Sequence, residues 1–254
     1  MGGVSRPAFV LLPPSESKVP GGHPSATPGF FDESLGGRRR KVLLALKSFL
    51  KDATTEEWSH TLKVRGPLLD RAIFSTRKLV DQSALVMPVW QRYSGVVWSH
   101  LDPANLDDGH RSRLIVPSGL YGLSSGTDEI ANYRLMMKVG LGSLGTLTNF
   151  WRPAISRALE EMPEATFVNL LPKEHDAAIQ SSTLLTTGRM IPVSFLRHGG
   201  AGVAGHDAKA VKGVVARLVL QSGIETLETF RWQGWKGRVH RCGYEVIAPR
   251  KATR

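Results

Sequence analysis

The sequence predicts a mixed α/β (α+β) protein that folds as a single compact domain over residues 1–254, and three observations lead to this class. Hydrophobic residues make up 41% and charged residues 22% of the 254 residues, the composition of an ordinary globular domain. Short apolar runs alternate along the chain with stretches in which apolar residues recur every three or four positions, as in interleaved strands and helices. No proline-rich or serine-rich linker long enough to separate two domains interrupts this alternation.

The first half of the chain is predicted to contain strands, one long loop and three helices. An apolar run ends at Pro13-Pro14, where the missing amide donors stop a strand, and residues 15–30 follow as an exposed loop. A threonine cap with acidic residues behind it starts one helix near Thr54, and Pro67 occupies the first turn of the next. The predicted elements are strands over 8–12, 85–89 and 113–116 and helices over 32–50, from Thr54 onward and over 67–79.

The second half continues the alternation. Apolar residues at helical spacing predict helices over 145–162 and 208–221, and short apolar runs predict strands over 166–171 and 191–196. Residues 240–254 are predicted to form a basic tail, because they end the chain with several arginines.

Positive charge is in excess and lies mainly towards the C-terminus. Lys and Arg number 33 against 22 Asp and Glu, a net charge of +11, and residues 188–254 contain 12 of the former against 4 of the latter. Such a surplus attracts phosphates, nucleic acid or another anionic surface. The alternative is a set of solvated arginines without a partner.

The same sequence excludes several classes of protein. A single cysteine, Cys242, cannot form an intramolecular disulfide or a Cys-rich zinc site. The apolar runs are far shorter than the roughly 20 residues of a membrane span, and the N-terminal residues lack a signal-peptide pattern. We therefore expect a cytoplasmic protein with no membrane partner.

The segment 62–73, LKVRGPLLDRAI, predicts two helices joined by a tight turn at Gly66. It is similar to the helix-hairpin-helix element of nonspecific DNA-binding proteins. In such a hairpin the glycine allows the backbone to approach a phosphate, and the amides of the following helix N-terminus face the anion. Arg65 and Arg71 would pair with neighbouring phosphates. The element usually has two glycines and this segment has one, so a plain helical hairpin remains the alternative.

A second segment follows the predicted strand at 113–116. Ser118 and Tyr121 lie in the sequence SGLYG, whose glycines permit a tight turn that converges on a ligand, as phosphate-binding loops do. The spacing matches neither a Walker loop nor a dinucleotide fingerprint, and an ordinary glycine turn is the alternative. Downstream, Tyr133 and Arg134 form a polar pair, in which the arginine would clamp an anion or form an ion pair with Asp128 or Glu129.

Taken together, several short motifs occur in the order and approximate spacing of one known family. These are LPPSESK at 12–18, YSG at 93–95, SGLYG at 118–122, YRL at 133–135, FW at 150–151, VNL at 168–170 with Glu174, and KG at 212–213 with Arg217. The chain thereby resembles the YaaA-type peroxide-stress family from Phe9 to about Val239. The resemblance implies a cytosolic single-domain protein of unusual fold, with a basic cleft and a helix-hairpin-helix-like element. It also implies protection against hydrogen peroxide, by lowering free iron and protecting DNA, and DNA binding.

The polar residues that carry this resemblance favour a ligand pocket. Most lie at predicted strand ends, where α/β folds place their sites, and carboxylates would repel DNA unless paired or used as acid or base. We therefore assign Glu16, Glu174 and Lys212 as candidate catalytic residues. The candidate ligand-binding residues are Ser15, Lys18, Tyr93, Ser118, Tyr121, Tyr133, Arg134 and Asn169. The alternative is that Glu16 with Lys18, and Glu174 with Lys212, are structural ion pairs.

No metal site or cofactor is predicted. His198, His206 and Asp207 lie around a glycine-rich loop, and His175 follows Glu174, but no pair has the helical spacing of a metal-binding motif. Trp232 and Trp235 are interpreted as core or rim residues rather than as a platform for bases.

Two functions follow from these patterns. The leading hypothesis is a stress-protective protein that binds double-stranded DNA nonspecifically, with phosphate contacts from Arg65, Gly66, Arg71 and Arg217, and with Lys212 contributing. It would help to limit damage by iron and peroxide. The alternative is an enzyme acting on a nucleotide or nucleobase, with Glu16 or Glu174 as acid or base and Arg134 with Lys18 as phosphate clamp. Whether the chain is an enzyme stays open at this point.

Overall fold

The computed structural model describes residues 8–24, 26–203, 205–241 and 243–250, and within them the predicted mixed α/β class is confirmed. The strands are β1 (Ala8–Leu11), β2 (Val86–Pro88), β3 (Leu114–Ser118), β4 (Gly122–Ser125), β5 (Glu129–Ala131), β6 (Thr166–Asn169), β7 (Met190–Leu196), β8 (Arg231–Trp232), β9 (Trp235–His240) and β10 (Gly243–Ile247). The helices are α1 (Asp32–Asp52), α2 (Thr55–Leu62), α3 (Pro67–Val80), α4 (Val89–Arg92), α5 (Val96–Leu101), α6 (Asp108–Ser112), α7 (Leu147–Glu160), α8 (Lys173–Asp176), α9 (Ser182–Thr186) and α10 (His206–Ser222).

Eight strands form one sheet in the order β4-β3-β1-β6-β7-β10-β9-β8. The central strands β3, β1, β6, β7 and β10 run parallel, whereas β4, β9 and β8 are added antiparallel at the two edges. β2 and β5 pair separately. Because parallel strands end at the same edge, the segments that follow β1, β3, β6 and β7 meet there.

Most predicted elements are present at nearly the predicted positions. The Thr54 cap accepts a hydrogen bond from the amide of Glu57, whose carboxylate accepts one from the Thr54 amide in return, which fixes the start of α2. Residues 243–247, which the sequence places in a basic tail, instead form β10 in the sheet, where Val246 is fully buried. Cys242 and residues 251–254 lie outside the described part of the chain.

Two close contacts position the elements around the parallel-strand edge. Trp151 on α7 is fully buried; its indole donates a 2.9 Å hydrogen bond to the carbonyl of Gly119, and a side chain at Gly122 would clash with its ring at 2.6 Å. On the other side α10 packs on α5, where a Cβ at Gly213 would lie 2.2 Å from the Val97 carbonyl oxygen. The glycines therefore bring both pairs of elements into contact.

None of the helices in the described residues has the length and apolar character required to cross a membrane.

Candidate functional site

A cleft of about 680 Å³ opens at the carboxyl edge of the parallel strands. Its walls come from the loop 13–18 after β1, the segment 133–136, the turn 172–175 after β6, Phe195 on β7 and the first turns of α10. This volume lies within the range of small-ligand sites, roughly 300–1,000 Å³. The position is the one that the topology assigns to ligands in open α/β sheets.

The loop after β1 is held rigidly although it has little regular structure. The Ser17 carbonyl accepts a 3.1 Å hydrogen bond from the Ser94 amide, and Lys18 forms an isolated antiparallel bridge with Tyr93. Gly95 has φ +101°, and a Cβ there would lie 3.0 Å from the Ser15 hydroxyl oxygen. The loop and the start of α5 are thus packed against each other.

Lys18 lies partly buried in this cleft. Its Nζ donates a 2.8 Å hydrogen bond to the Ser15 carbonyl oxygen and lies 4.4 Å from the ring centroid of Tyr133 and 5.3 Å from that of Tyr93. Burial, followed by the repulsion of Arg134, lowers the pKa of Lys18 to about 7 against a smaller opposing effect of Glu16. Near neutral pH the side chain is therefore divided between ammonium and free amine.

The tyrosines form a buried layer beneath Lys18. The hydroxyls of Tyr93 and Tyr133 are 2.5 Å apart, and burial raises the pKa of both, so they remain protonated. Tyr121 packs edge-on against Tyr133 at 5.5 Å, and its amide donates to the Ser118 hydroxyl. Of the predicted ligand residues in this group, Tyr133 lines the cleft, whereas Tyr93, Tyr121 and Ser118 support it from behind.

Arg134 links the cleft to the hairpin at Gly66. Its Nη2 lies 2.8 Å from the Glu16 carboxylate, and its Nε donates a 3.1 Å hydrogen bond to the carbonyl of Leu62 at the end of α2. Two alternatives from the sequence are therefore wrong within the described residues: Arg134 does not pair with Asp128 or Glu129, and Glu16 pairs with Arg134 instead of Lys18. The side chain of Glu16 is 64% exposed.

The opposite wall contains Glu174 and His175. Glu174 pairs with Lys138 at 3.1 Å, so the proposed Glu174–Lys212 pair is absent from the described ion pairs. His175 has a buried Nδ1 without a hydrogen-bond partner in the described residues, and burial lowers its pKa against a smaller opposing effect of Glu174. The imidazole is thus neutral at physiological pH, with a free nitrogen beside the cleft.

Lys212 projects from α10 into the same cleft. It is partly buried, its Nζ lies 5.2 Å from the Phe195 ring centroid, and burial lowers its pKa to about 8. Lys209, one helical turn earlier, lines the cleft as well. Lys209 was not among the residues predicted from the sequence, although its i, i+3 relation to Lys212 on a predicted helix indicates a shared face.

Asn169 and Arg217 have structural partners elsewhere. The Asn169 amide donates a 2.7 Å hydrogen bond to Asp176, and its carbonyl oxygen accepts one from the Leu171 amide, so it shapes the turn after β6. Arg217, which the sequence predicts to contact DNA, pairs with Asp102 at 2.5 Å.

The hairpin itself connects α2 and α3. Lys63 adopts the left-handed conformation at the end of α2, and Gly66 has φ +57° immediately before Pro67. A Cβ at Gly66 would meet nothing within 4 Å, so the turn faces open space. Arg65 and Arg71 are exposed, and within the described residues neither takes part in an ion pair or a side-chain hydrogen bond.

Across the described ranges, no group of three or more His, Cys, Asp or Glu side chains is arranged to hold a metal ion. His206 and Asp207 lie instead beside a smaller cavity with Trp232 and Trp235.

Comparison with known proteins gives a consistent result over most of the chain. Residues 9–239 match the family model described as peroxide stress protein YaaA. A UPF0246 protein of Streptomyces coelicolor is 30% identical over 97% of this chain and 95% of its own length. A UPF0246 protein of Corynebacterium glutamicum is 32% identical over 85% of this chain and 86% of its own, and one of a Ruegeria species is 35% identical over 52% and 57%.

Proposed function

This chain belongs to the peroxide stress protein YaaA family, and from that premise we propose that it protects against peroxide by binding phosphate-bearing ligands of the nucleotide type in its cleft. Because the proposed ligands, nucleotides and DNA, occur in the cytoplasm, we also propose that the protein acts there.

One observation carries the proposal: cationic side chains converge on a single cleft while the carboxylates beside them are already paired. Lys18, Arg134, Lys209 and Lys212 all line the cleft, whereas Glu16 and Glu174 are held by Arg134 and Lys138. Lys18, Arg134 and Lys212 are partly buried, whereas Lys209 is exposed. Partly buried cations bind anions more strongly than solvated ones, because less water screens the interaction. The cleft is therefore suited to a phosphate group.

The other walls fit the remainder of a nucleotide. The partly buried Phe195 and Val203 supply apolar surface. Trp98 also lines the cleft but belongs to the buried core, and its indole donates a 3.3 Å hydrogen bond to the Pro13 carbonyl. A base or a sugar face can pack on such side chains. The volume of about 680 Å³ accommodates one nucleotide unit.

The second candidate function is nonspecific DNA binding at the hairpin. The contacts of Arg134 with Leu62 and Glu16 favour it, because they join the hairpin to the cationic cleft. The turn at Gly66 presents open backbone and the N-terminus of α3, which suits a phosphate. Arg65 and Arg71 lie exposed around it. Because Arg134 bonds to Leu62, this surface adjoins the cleft. Protein bound to DNA would displace metal cations from the DNA phosphates, and this would limit damage by iron and peroxide.

As an enzyme, the protein would use groups other than those predicted. Glu16 and Glu174 are each already engaged in an ion pair with a cation, Arg134 and Lys138 respectively. His175 and Lys18 each have a pKa lowered by burial, so they are the better proton acceptors near neutral pH.

The test is thermal unfolding with a panel of nucleotides and inorganic phosphate. A ligand that occupies the cleft should raise the melting temperature by several degrees, because stabilisation follows RT ln(1 + [L]/Kd). Lys212→Gln should reduce the shift, whereas Lys47→Gln, at an exposed position on α1, should leave it unchanged. Absence of a shift with every phosphate ligand at millimolar concentration would refute ligand binding in the cleft.

A further inference from the structure

The amine of Lys18 is partly buried, is held by one hydrogen bond and lacks a carboxylate partner among the described ion pairs. Anion binding alone does not require this environment. Its Nζ has one hydrogen bond, to the Ser15 carbonyl oxygen, and within the described ion pairs it has no carboxylate partner, because the neighbouring Glu16 pairs with Arg134. The backbone bridge to Tyr93 fixes the residue, and the ring of Tyr133 lies below the nitrogen. The nitrogen is thus held in the cleft without a salt bridge.

We propose that the Lys18 amine forms an imine with the aldehyde carbon of a pentose 5-phosphate unit bound in the cleft. This inference rests on the proposed function, since it requires that the cleft bind a phosphate ligand.

The protonation state of Lys18 favours imine formation. The reactive form of a lysine is the free amine, and the pKa of about 7 makes that form abundant at neutral pH. A lysine with the ordinary value, near 10.5, has a free-amine fraction about a thousandfold smaller at pH 7. Burial is the main cause, Arg134 and Arg92 add to it, and Glu16 opposes it. The adjacent Tyr93 and Tyr133 hydroxyls stay protonated, so they add no negative charge.

The reaction balances without an external oxidant or reductant. The nitrogen lone pair forms a bond to the aldehyde carbon, the carbonyl oxygen gains a proton, and the nitrogen loses one, giving a carbinolamine. The C–O bond then breaks, water leaves after the oxygen takes a second proton, and the nitrogen gives up its remaining proton as the C=N bond forms. Lys212 as ammonium and His175 as neutral imidazole line the same cleft, as an acid and a base respectively.

The rest of the cleft selects a sugar phosphate among aldehydes. Arg134, Lys209 and Lys212 supply positive charge for a phosphate. Ser15, in the same loop as Lys18, also lines the cleft and brings a hydroxyl for a sugar. Such a unit has two sources: a free pentose 5-phosphate, whose open-chain form is an aldehyde, and an abasic site in DNA, which has the same aldehyde at C1′. DNA bound at the hairpin would lie beside the same amine, because Arg134 links the hairpin to the cleft.

The experiment is reductive trapping. The protein is incubated with cyanoborohydride and either 2-deoxyribose 5-phosphate or a duplex containing one abasic site, and the adduct is located by peptide mass mapping. We expect one adduct, on Lys18, in wild-type protein and in Lys47→Arg. Lys18→Arg, which keeps the charge but removes the primary amine, should reduce the yield by about tenfold or more. Adduct from the free sugar only, or from DNA only, identifies the source.

Absence of an adduct on Lys18 from both ligands, or labelling spread over surface lysines and unchanged in Lys18→Arg, would overturn the imine. The mapping on wild-type protein decides this even if Lys18→Arg folds poorly. Thermal shifts with the same sugar phosphate separate the two proposals. A shift without an adduct refutes the imine alone, and the absence of shifts with all phosphate ligands refutes the proposed function.

Discussion

The guanidinium of Arg134 donates a 3.1 Å hydrogen bond to the carbonyl oxygen of Leu62, so a residue that lines the cleft also caps the last turn of α2. Carbonyls at a helix C-terminus lack intrahelical donors, and a cation there is favourable. The same guanidinium bonds to Glu16 in the loop after β1. The hairpin, the cleft and that loop are therefore all contacted by one side chain. A ligand that displaces Arg134 would break its hydrogen bonds to both the hairpin and the loop.

The first prediction concerns this bridge. Arg134→Met should weaken nucleotide binding by about tenfold or more, because a charge-assisted hydrogen bond contributes about 1.5–3 kcal/mol. It should also increase hydrogen exchange of the amides at 63–66, since the end of α2 loses a partner. Calorimetry and exchange mass spectrometry measure the two effects. Arg157→Met, at an exposed position on α7, is the control, and unchanged exchange in Arg134→Met would contradict the structural link.

The fold could largely be predicted because local spacing determines its helices and central strands. In α3, Leu69, Ala72 and Thr76 are buried at intervals of three and four, a pattern visible in the sequence. The edge strand β8 was missed because it has only two residues, and β9 because four of its six residues are exposed. Their pairing with β10 comes from contacts distant in sequence, which local pattern does not encode.

The site could be predicted in part for a related reason. The rule that ligands bind at the carboxyl ends of parallel strands brings Glu16, Lys18, Glu174 and Lys212 into one cleft. The ion-pair partners were wrong, because Glu16 and Arg134 are 118 positions apart and side-chain direction decides which charges meet. The lowered pKa of Lys18 was also beyond prediction, since it depends on burial by segments from three parts of the chain.

The second prediction tests the hairpin. Arg65→Ala and Arg71→Ala should each weaken DNA binding equally for all sequences and reduce the slope of log K against log salt by about 0.9 per lost phosphate contact. Arg217→Ala should leave the slope unchanged, because its guanidinium pairs with Asp102. Fluorescence anisotropy between about 50 and 200 mM salt gives the slopes. A larger effect from Arg217 than from Arg65 would place the DNA elsewhere.

The third prediction concerns pH. Lys18 and Lys212 have pKa values lowered to about 7 and about 8, so both lose their charge as pH rises from 7 to 9. Affinity for a phosphate ligand should therefore fall over that range, by about tenfold for each cation lost. His175 stays neutral over this range, because burial lowers its pKa. Calorimetry in two buffers should also show proton uptake on binding, because an anion raises both pKa values.

Lys18→Gln and Lys212→Gln should each make the affinity less dependent on pH. An affinity of the wild-type protein that does not change with pH would refute the role of both lysines in binding phosphate.

The fourth prediction concerns the contact between α5 and α10. Gly213→Val would place side-chain atoms against the Val97 carbonyl oxygen, where even a Cβ lies at 2.2 Å. Forcing the helices apart should destabilise the protein by about 1–3 kcal/mol and displace Lys209 and Lys212 from the cleft. Urea unfolding and nucleotide titration measure the two effects. Gly37→Val, at an exposed position within α1 where an added Cβ would meet only the end of the Arg40 side chain at 3.8 Å, controls for replacing a helical glycine, and equal losses in both variants would count against a specific contact.

The last prediction tests whether the carboxylates of Glu16 and Glu174 only balance charge in the cleft or act as acid or base in a reaction. Glu16→Gln and Glu174→Gln each remove a negative charge from the cleft and release a cation, Arg134 and Lys138 respectively. If these carboxylates only balance charge, both variants should bind nucleotide a few-fold more tightly, and cells that carry them should survive peroxide as well as wild type. If either is the acid or base of a reaction, its variant should lose about 10²- to 10⁴-fold in rate and lose protection while affinity is kept. The ion pairs favour the first outcome, because each carboxylate already balances the charge of a neighbouring cation. Affinity measurements and survival assays on the same two variants, with folding verified by thermal unfolding, decide between them, and loss of protection with intact binding would restore Glu16 or Glu174 as a catalytic residue.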